Sequence, residues 1–243
     1  LFIRGGIMKT PEISVFQAQK EIVIFGEKMQ HMFQMVKALY ATEQDDEFKK
    51  LFERIQKTED ISDRMEQEIG KYLGDVGDAH LSDDTKEKIR AMLRQIGELE
   101  SIGDSCFGLA RIMRRKRENS IVFNDEQEAG VQQMFGLLDQ ALTRMNELLA
   151  GRREEYDITL SEEIENSING CRNRLKQWNI SNLDQHIYVL LIMVPNRILH
   201  NSSIAETHFV VILNELGLGL FIAFGSELIG FEQVAELACF VNL

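Results

Sequence analysis

Three consecutive stretches of this chain repeat an apolar residue every three or four positions for nearly thirty residues each. Only an α-helix places such residues on one face, so this spacing constrains the fold more than any other feature. The first stripe reads Val15, Ala18, Ile22, Phe25, Met29, Met32, Val36 and Leu39. The second reads Phe48, Leu51, Ile55, Thr58, Ser62, Met65, Ile69 and Tyr72, and ends in Gly74-Asp75-Val76-Gly77-Asp78. The third reads Ile89, Met92, Ile96, Leu99, Gly103, Cys106, Ala110 and Met113. Helices of this length are about 45 Å long, and short links between them make antiparallel neighbours. The chain has only 2 Pro and 17 Gly in 243 residues, so little interrupts such helices.

Local signals place the ends. Pro11 suits a first helical turn, Asp45-Asp46 marks the break after the first helix, and Ser82 is placed to cap the third. The run Arg114-Arg115-Lys116-Arg117 closes the third helix, where cations complement the dipole, and reads as a solvated helix end. A weaker reading has Arg111 and this run touching a phosphate or phospholipid headgroups.

The pattern then restarts. Asn124 or Asp125 caps a fourth helix with Val131, Met134, Leu138, Ala141, Met145 and Leu148 on its stripe, ended by Gly151. Thr159-Leu160-Ser161-Glu162 has capping-box form and opens a fifth, with Ile164, Ile168, Cys171, Leu175 and Trp178. The expected fold is therefore all-α: tandem three-helix bundles of long antiparallel helices. Residues 1–118 form the first three-helix unit, and residues 119–187 the first two helices of a second. From Tyr188 onward 34 of 56 residues are apolar, the periodicity fades, and Pro195 breaks any long helix. Residues 188–243 read as the last helix of the second unit or as a frame-shifted end.

Net charge is −12, from 27 basic against 39 acidic residues. Sequence-reading nucleic-acid binding is disfavoured, because it needs a basic footprint. Binding of cations or of a basic partner suits the charge better. Three widely spaced cysteines make no disulfide framework and suit a reducing compartment. No signal peptide and no run of 18 apolar residues is expected to cross a bilayer. The residues before Ile7 look like an abrupt start, as if a longer chain had been cut. None of the five His stands three after a Glu, so the Glu-x-x-His pair of di-iron bundles is absent. No nucleophile elbow or phosphate loop occurs, and the reading is non-enzymatic.

Chemistry is expected where two carboxylate pairs meet. Glu59 and Asp63 lie four apart and flank Thr58 and Ser62; Glu100 and Asp104 lie four apart and flank Leu99 and Gly103. Small stripe residues let the two helices approach, bringing four like charges to one seam. Their repulsion invites a counter-ion, and oxygen ligands suit magnesium, manganese, calcium or iron rather than thiolate-bound zinc. The alternative is an ordinary metal-free helical interaction module, since acidic pairs on solvated faces are common. Metal-dependent phosphate-ester hydrolysis is a third and weaker reading, because only the carboxylates themselves offer a base.

At these residues the chain resembles a family. Leu99-Glu100-Ser101-Ile102-Gly103-Asp104 resembles the Leu-Glu-x-Ile-Gly-Asp motif of PhoU-like domains, tandem three-helix regulators of bacterial phosphate uptake, and Glu59-Asp60-Ile61-Ser62-Asp63 matches their Glu/Asp-x-x-x-Asp metal motif. Lys9-Thr10-Pro11-Glu12-Ile13 and Ile168-Asn169-Gly170-Cys171-Arg172-Asn173-Arg174-Leu175 are similar to segments of the C-terminal domain of bacterial sodium/phosphate cotransporter family proteins. The resemblance spans roughly residues 9–187. It implies a metal-binding regulatory domain on the cytoplasmic side of the inner membrane, partnered by a transporter's membrane domain, a phosphate-signalling protein or a second copy of the chain. Glu59, Asp63, Glu100 and Asp104 become its metal ligands, for iron, manganese, magnesium or zinc. In the second unit Glu162 is followed at +4 by Asn166, so the matching pair is incomplete there.

Overall fold

The computed structural model describes residues 11–77, 81–151 and 158–182. These form five α-helices and, among the described residues, no strand: α1 (Pro11–Ala41), α2 (Asp45–Gly77), α3 (Asp83–Glu118), α4 (Asp125–Leu149) and α5 (Ile158–Asn182). Helices α1, α2 and α3 pack against one another. Helix α4 pairs with α5 and leans on α1. The link from α3 to α4 covers residues 119–124. Residues 183–187 and the apolar 188–243 tail, with both readings of it, lie outside the described residues.

The stripes explain the packing. Every residue of the α1 stripe is buried, as are all eight on α3 and all six on α4. On α2 only Leu51 and Thr58 are partly exposed, and on α5 Leu175 is. One continuous apolar core runs through all five helices. At about 25 cal/mol per Å² of apolar surface removed from water, this burial dominates what holds the bundle together. Edge-on ring pairs join α1 to α4: Phe33 to Phe135 at 5.8 Å and Tyr40 to Phe135 at 5.4 Å.

Helix ends follow the local chemistry. Ser82 Oγ accepts from the Thr85 N–H at 3.2 Å, and Asn124 with Gln127 completes a reciprocal capping box. Helix α3 ends in a Schellman motif: Ile121 N–H donates to the Lys116 carbonyl at 3.0 Å and Ser120 N–H to Arg117 at 2.9 Å. Ser120 takes the left-handed position at φ 53°, where glycine is usual. Gly151 takes the same position after α4 at φ 61°.

Three sequence expectations are corrected. Asp45 and Asp46 are not a break but the first turn of α2, where carboxylates meet the positive end of the dipole. Thr159 does not cap α5: Ile158 is already helical, so the Thr159–Glu162 pair lies inside the first turn. The basic run closing α3 is a solvated end only at Arg114 and Arg115, which are exposed. Arg117 donates to the Thr42 carbonyl at 2.8 Å, to the Glu43 carbonyl, and to Asp45 Oδ1 at 2.8 Å, with its guanidinium 4.8 Å over the Phe48 ring. Lys116 lies 4.3 Å over Phe123. Arg117 clamps the α1–α2 turn and Lys116 covers a ring of the α3–α4 link, because the antiparallel arrangement brings the end of α3 beside both.

Candidate metal centre

Helices α2 and α3 run antiparallel, so the residues near the middle of each stripe face one another. Gly103 is buried there against Ser62. A Cβ on Gly103 would stand 2.8 Å from Ser62 Oγ and 3.2 Å from Met29 Sδ of α1. Glycine and serine therefore permit the close approach that the sequence suggests, and bulkier residues would part the helices. Ser62 Oγ also lies 3.7 Å from Met29 Sδ, tying the contact to α1.

Beside this contact the carboxylates converge. Glu59, Asp63 and Asp104 each bring one oxygen within 4.8 Å of the others. Glu59 and Asp63 are half-buried and Asp104 is exposed, so the cluster opens to solvent on the α3 side. Glu100, the fourth expected ligand, is half-buried next to the cluster but is not one of these three. Its carboxylate is pushed up to about 7, by burial first and then by Asp104, Glu66 and Asp63; a 3.4 Å hydrogen bond from the Ser101 hydroxyl opposes this. Glu59 is likewise raised, by burial and then by Asp63, Asp104 and Asp60, with Arg111 opposing. Repulsion among neighbouring carboxylates thus acts on both groups, and protonation or a cation relieves it.

The donor set fits a hard cation. All of the oxygens are carboxylate oxygens, and Asp63 Oδ1 is buried with no hydrogen-bond partner among the described residues. Glu59, Asp63 and Asp104 are placed to hold such an ion, with Glu100 within electrostatic reach of two of them. Sequence reasoning missed Glu66, which acts on Glu100 from α2. Its position three after Asp63 and seven after Glu59 puts it on the same side of α2, a spacing readable once α2 is aligned with α3. Cys106 is buried, and burial pushes its thiol up to about 12, which makes it core rather than ligand. No family model, curated protein or solved structure matches this chain. No described helix is long and apolar enough to cross a membrane.

Proposed function

We propose that this chain is a non-enzymatic regulatory domain that binds a divalent or trivalent cation at Glu59, Asp63 and Asp104, assisted by Glu100. The observation that carries the reading is the convergence of three carboxylate oxygens within 4.8 Å beside the Gly103–Ser62 contact. A cation there cancels like-charge repulsion and fixes α2 against α3, presenting one defined surface to a partner. The resemblance to PhoU-like domains of sodium/phosphate cotransporter family proteins supplies the setting: regulation of phosphate uptake at the cytoplasmic face of the bacterial inner membrane, with a transporter's membrane domain or a phosphate-signalling protein as partner.

Metal analysis of the purified chain, with melting curves before and after chelation, tests this. Co-purification of an ion, and a melting temperature that rises on its return, is expected for the native chain and not for Asp63→Asn. Equal melting temperatures with and without manganese, magnesium or iron would sink it. The exposure of Asp104 favours a second reading, a metal-free helical interaction module. For that module the same curves coincide.

A further inference from the structure

Next to the carboxylates the α2–α3 seam changes sign. Phe52 of α2 and Phe107 of α3 place their rings 5.9 Å apart across it. The guanidinium of Arg114 lies 4.5 Å over Phe52 and that of Arg111 lies 5.2 Å over Phe107. A cation–π contact does not use up the N–H donors of a guanidinium. Both side chains are exposed. Arg111 makes no hydrogen bond or ion pair among the described residues, its contact there being the Phe107 ring. Among the described residues the one ion pair of Arg114 is with Glu118, at 3.7 Å between two exposed groups, an interaction that solvent weakens. Arg111 is also close enough to Glu59 to act on its charge.

Two guanidinium forks one turn apart on α3, each over one ring of the Phe52–Phe107 pair, are donors suited to a tetrahedral oxyanion. The adjacent carboxylates oppose such a ligand while they are bare. A cation among them would cancel that opposition. The geometry points to an oxyanion site of the phosphate class at Arg111 and Arg114, whose affinity rises when the Glu59/Asp63/Asp104 cluster holds a cation. This rests on the cation reading above. Coupling of this kind is reciprocal, so the anion also tightens the cation. Free phosphate and a phospholipid headgroup share the chemistry.

Calorimetric titration of the full chain separates the claims. Manganese alone is titrated first, then inorganic phosphate into the manganese-loaded and the chelator-treated protein. Phosphate is expected to bind the loaded protein at least about tenfold more tightly. Arg111→Gln and Arg114→Gln are each expected to weaken it by about tenfold, while manganese affinity without phosphate holds in Arg114→Gln and does not fall in Arg111→Gln, which loses a charge that opposes the cation. Lys88→Gln, at the far end of α3, serves as the unaffected control, and melting curves confirm that each variant is folded. Sedimentation with phosphatidylcholine vesicles, plain or carrying phosphatidic acid, tests the headgroup as source. Binding to acidic vesicles alone, lost in both arginine variants, assigns the site to a lipid. Manganese binding without arginine-dependent binding of phosphate or vesicles overturns the inference and leaves the cation reading standing. Absence of manganese binding sinks both.

Discussion

The α1–α4 seam and the α2–α3 seam are both polar at their margins, and they satisfy their polar groups in opposite ways. Between α1 and α4 most of the groups are matched, Asn146 Oδ1 being buried without a partner among the described residues. Gln30 donates to Thr143 at 2.9 Å and accepts from Asn146 at 2.7 Å; Gln34 donates to Asp139 at 2.6 Å; Lys37 pairs with Asp139; Tyr40 donates to Glu128 at 2.6 Å. Between α2 and α3 carboxylates face carboxylates, and an Asp63 oxygen is left without a protein partner. Both seams contain a glycine at the point of approach, so small residues alone do not make a site. A matched seam fixes register and asks for nothing more. A seam of like charges holds together because the apolar stripes beneath it outweigh the repulsion, and it is left with a demand that an ion can meet.

Substitution at the two glycines should break this contrast most visibly. Gly103→Leu meets Ser62 and Met29 with no room to yield, and should cost about 3 kcal/mol in chemical denaturation. Gly26→Ala meets the ends of Asn146 and Leu149, which can swing aside, and should cost about 1 kcal/mol. Arg117→Ala removes the clamp on the Thr42 and Glu43 carbonyls, and should cost about 2 kcal/mol, read the same way. Asp63→Asn relieves repulsion in the metal-free chain and should raise its stability by about 1 kcal/mol, while abolishing any gain from added manganese. A loss of stability in the metal-free variant would mean that the carboxylates are not in conflict.

The pH response sharpens the same point. Glu100 titrates near 7 when folded, above an ordinary glutamate, so the native state holds its proton more tightly than the unfolded chain. That contribution is complete below about pH 4 and is lost as pH rises through 7. Metal-free protein should therefore melt at a lower temperature at pH 8 than at pH 6, and a saturating cation should flatten the slope. The smallest effect is expected at the matched seam: Lys37→Met, at a partly exposed pair, should cost under about 1 kcal/mol.

What the sequence reveals, and what it hides, follows the range of the interactions. Stripes such as Val15 to Leu39 are legible because helical periodicity is local, and the Ser82 and Asn124 caps need only three residues. The convergence of Glu59, Asp63 and Asp104 is legible because Glu59 and Asp63 lie one turn apart and Gly103 and Ser62 mark where the helices meet, while Glu100, expected with them, stands outside the converging three. The role of Arg117 is not legible, since its acceptors at Thr42 and Glu43 come close only after α3 folds back along α2. The matched pairs of α1 and α4 are hidden for the same reason, being separated by more than a hundred residues in most cases. Glu66 falls between these cases, on the right face but without a motif to announce it.

Helix α1 touches both seams at successive residues. Met29 reaches under Ser62 and Gly103, and Gln30 is bonded to Thr143 and Asn146. Neighbouring positions on a helix point about 100° apart, so one rigid rod presents a different side to each. A twist of that rod large enough to ease one contact must disturb the other. Met29 and Gln30 thus make one rod a common wall of both seams, and a substitution that shifts α1 at one of them is expected to disturb the other.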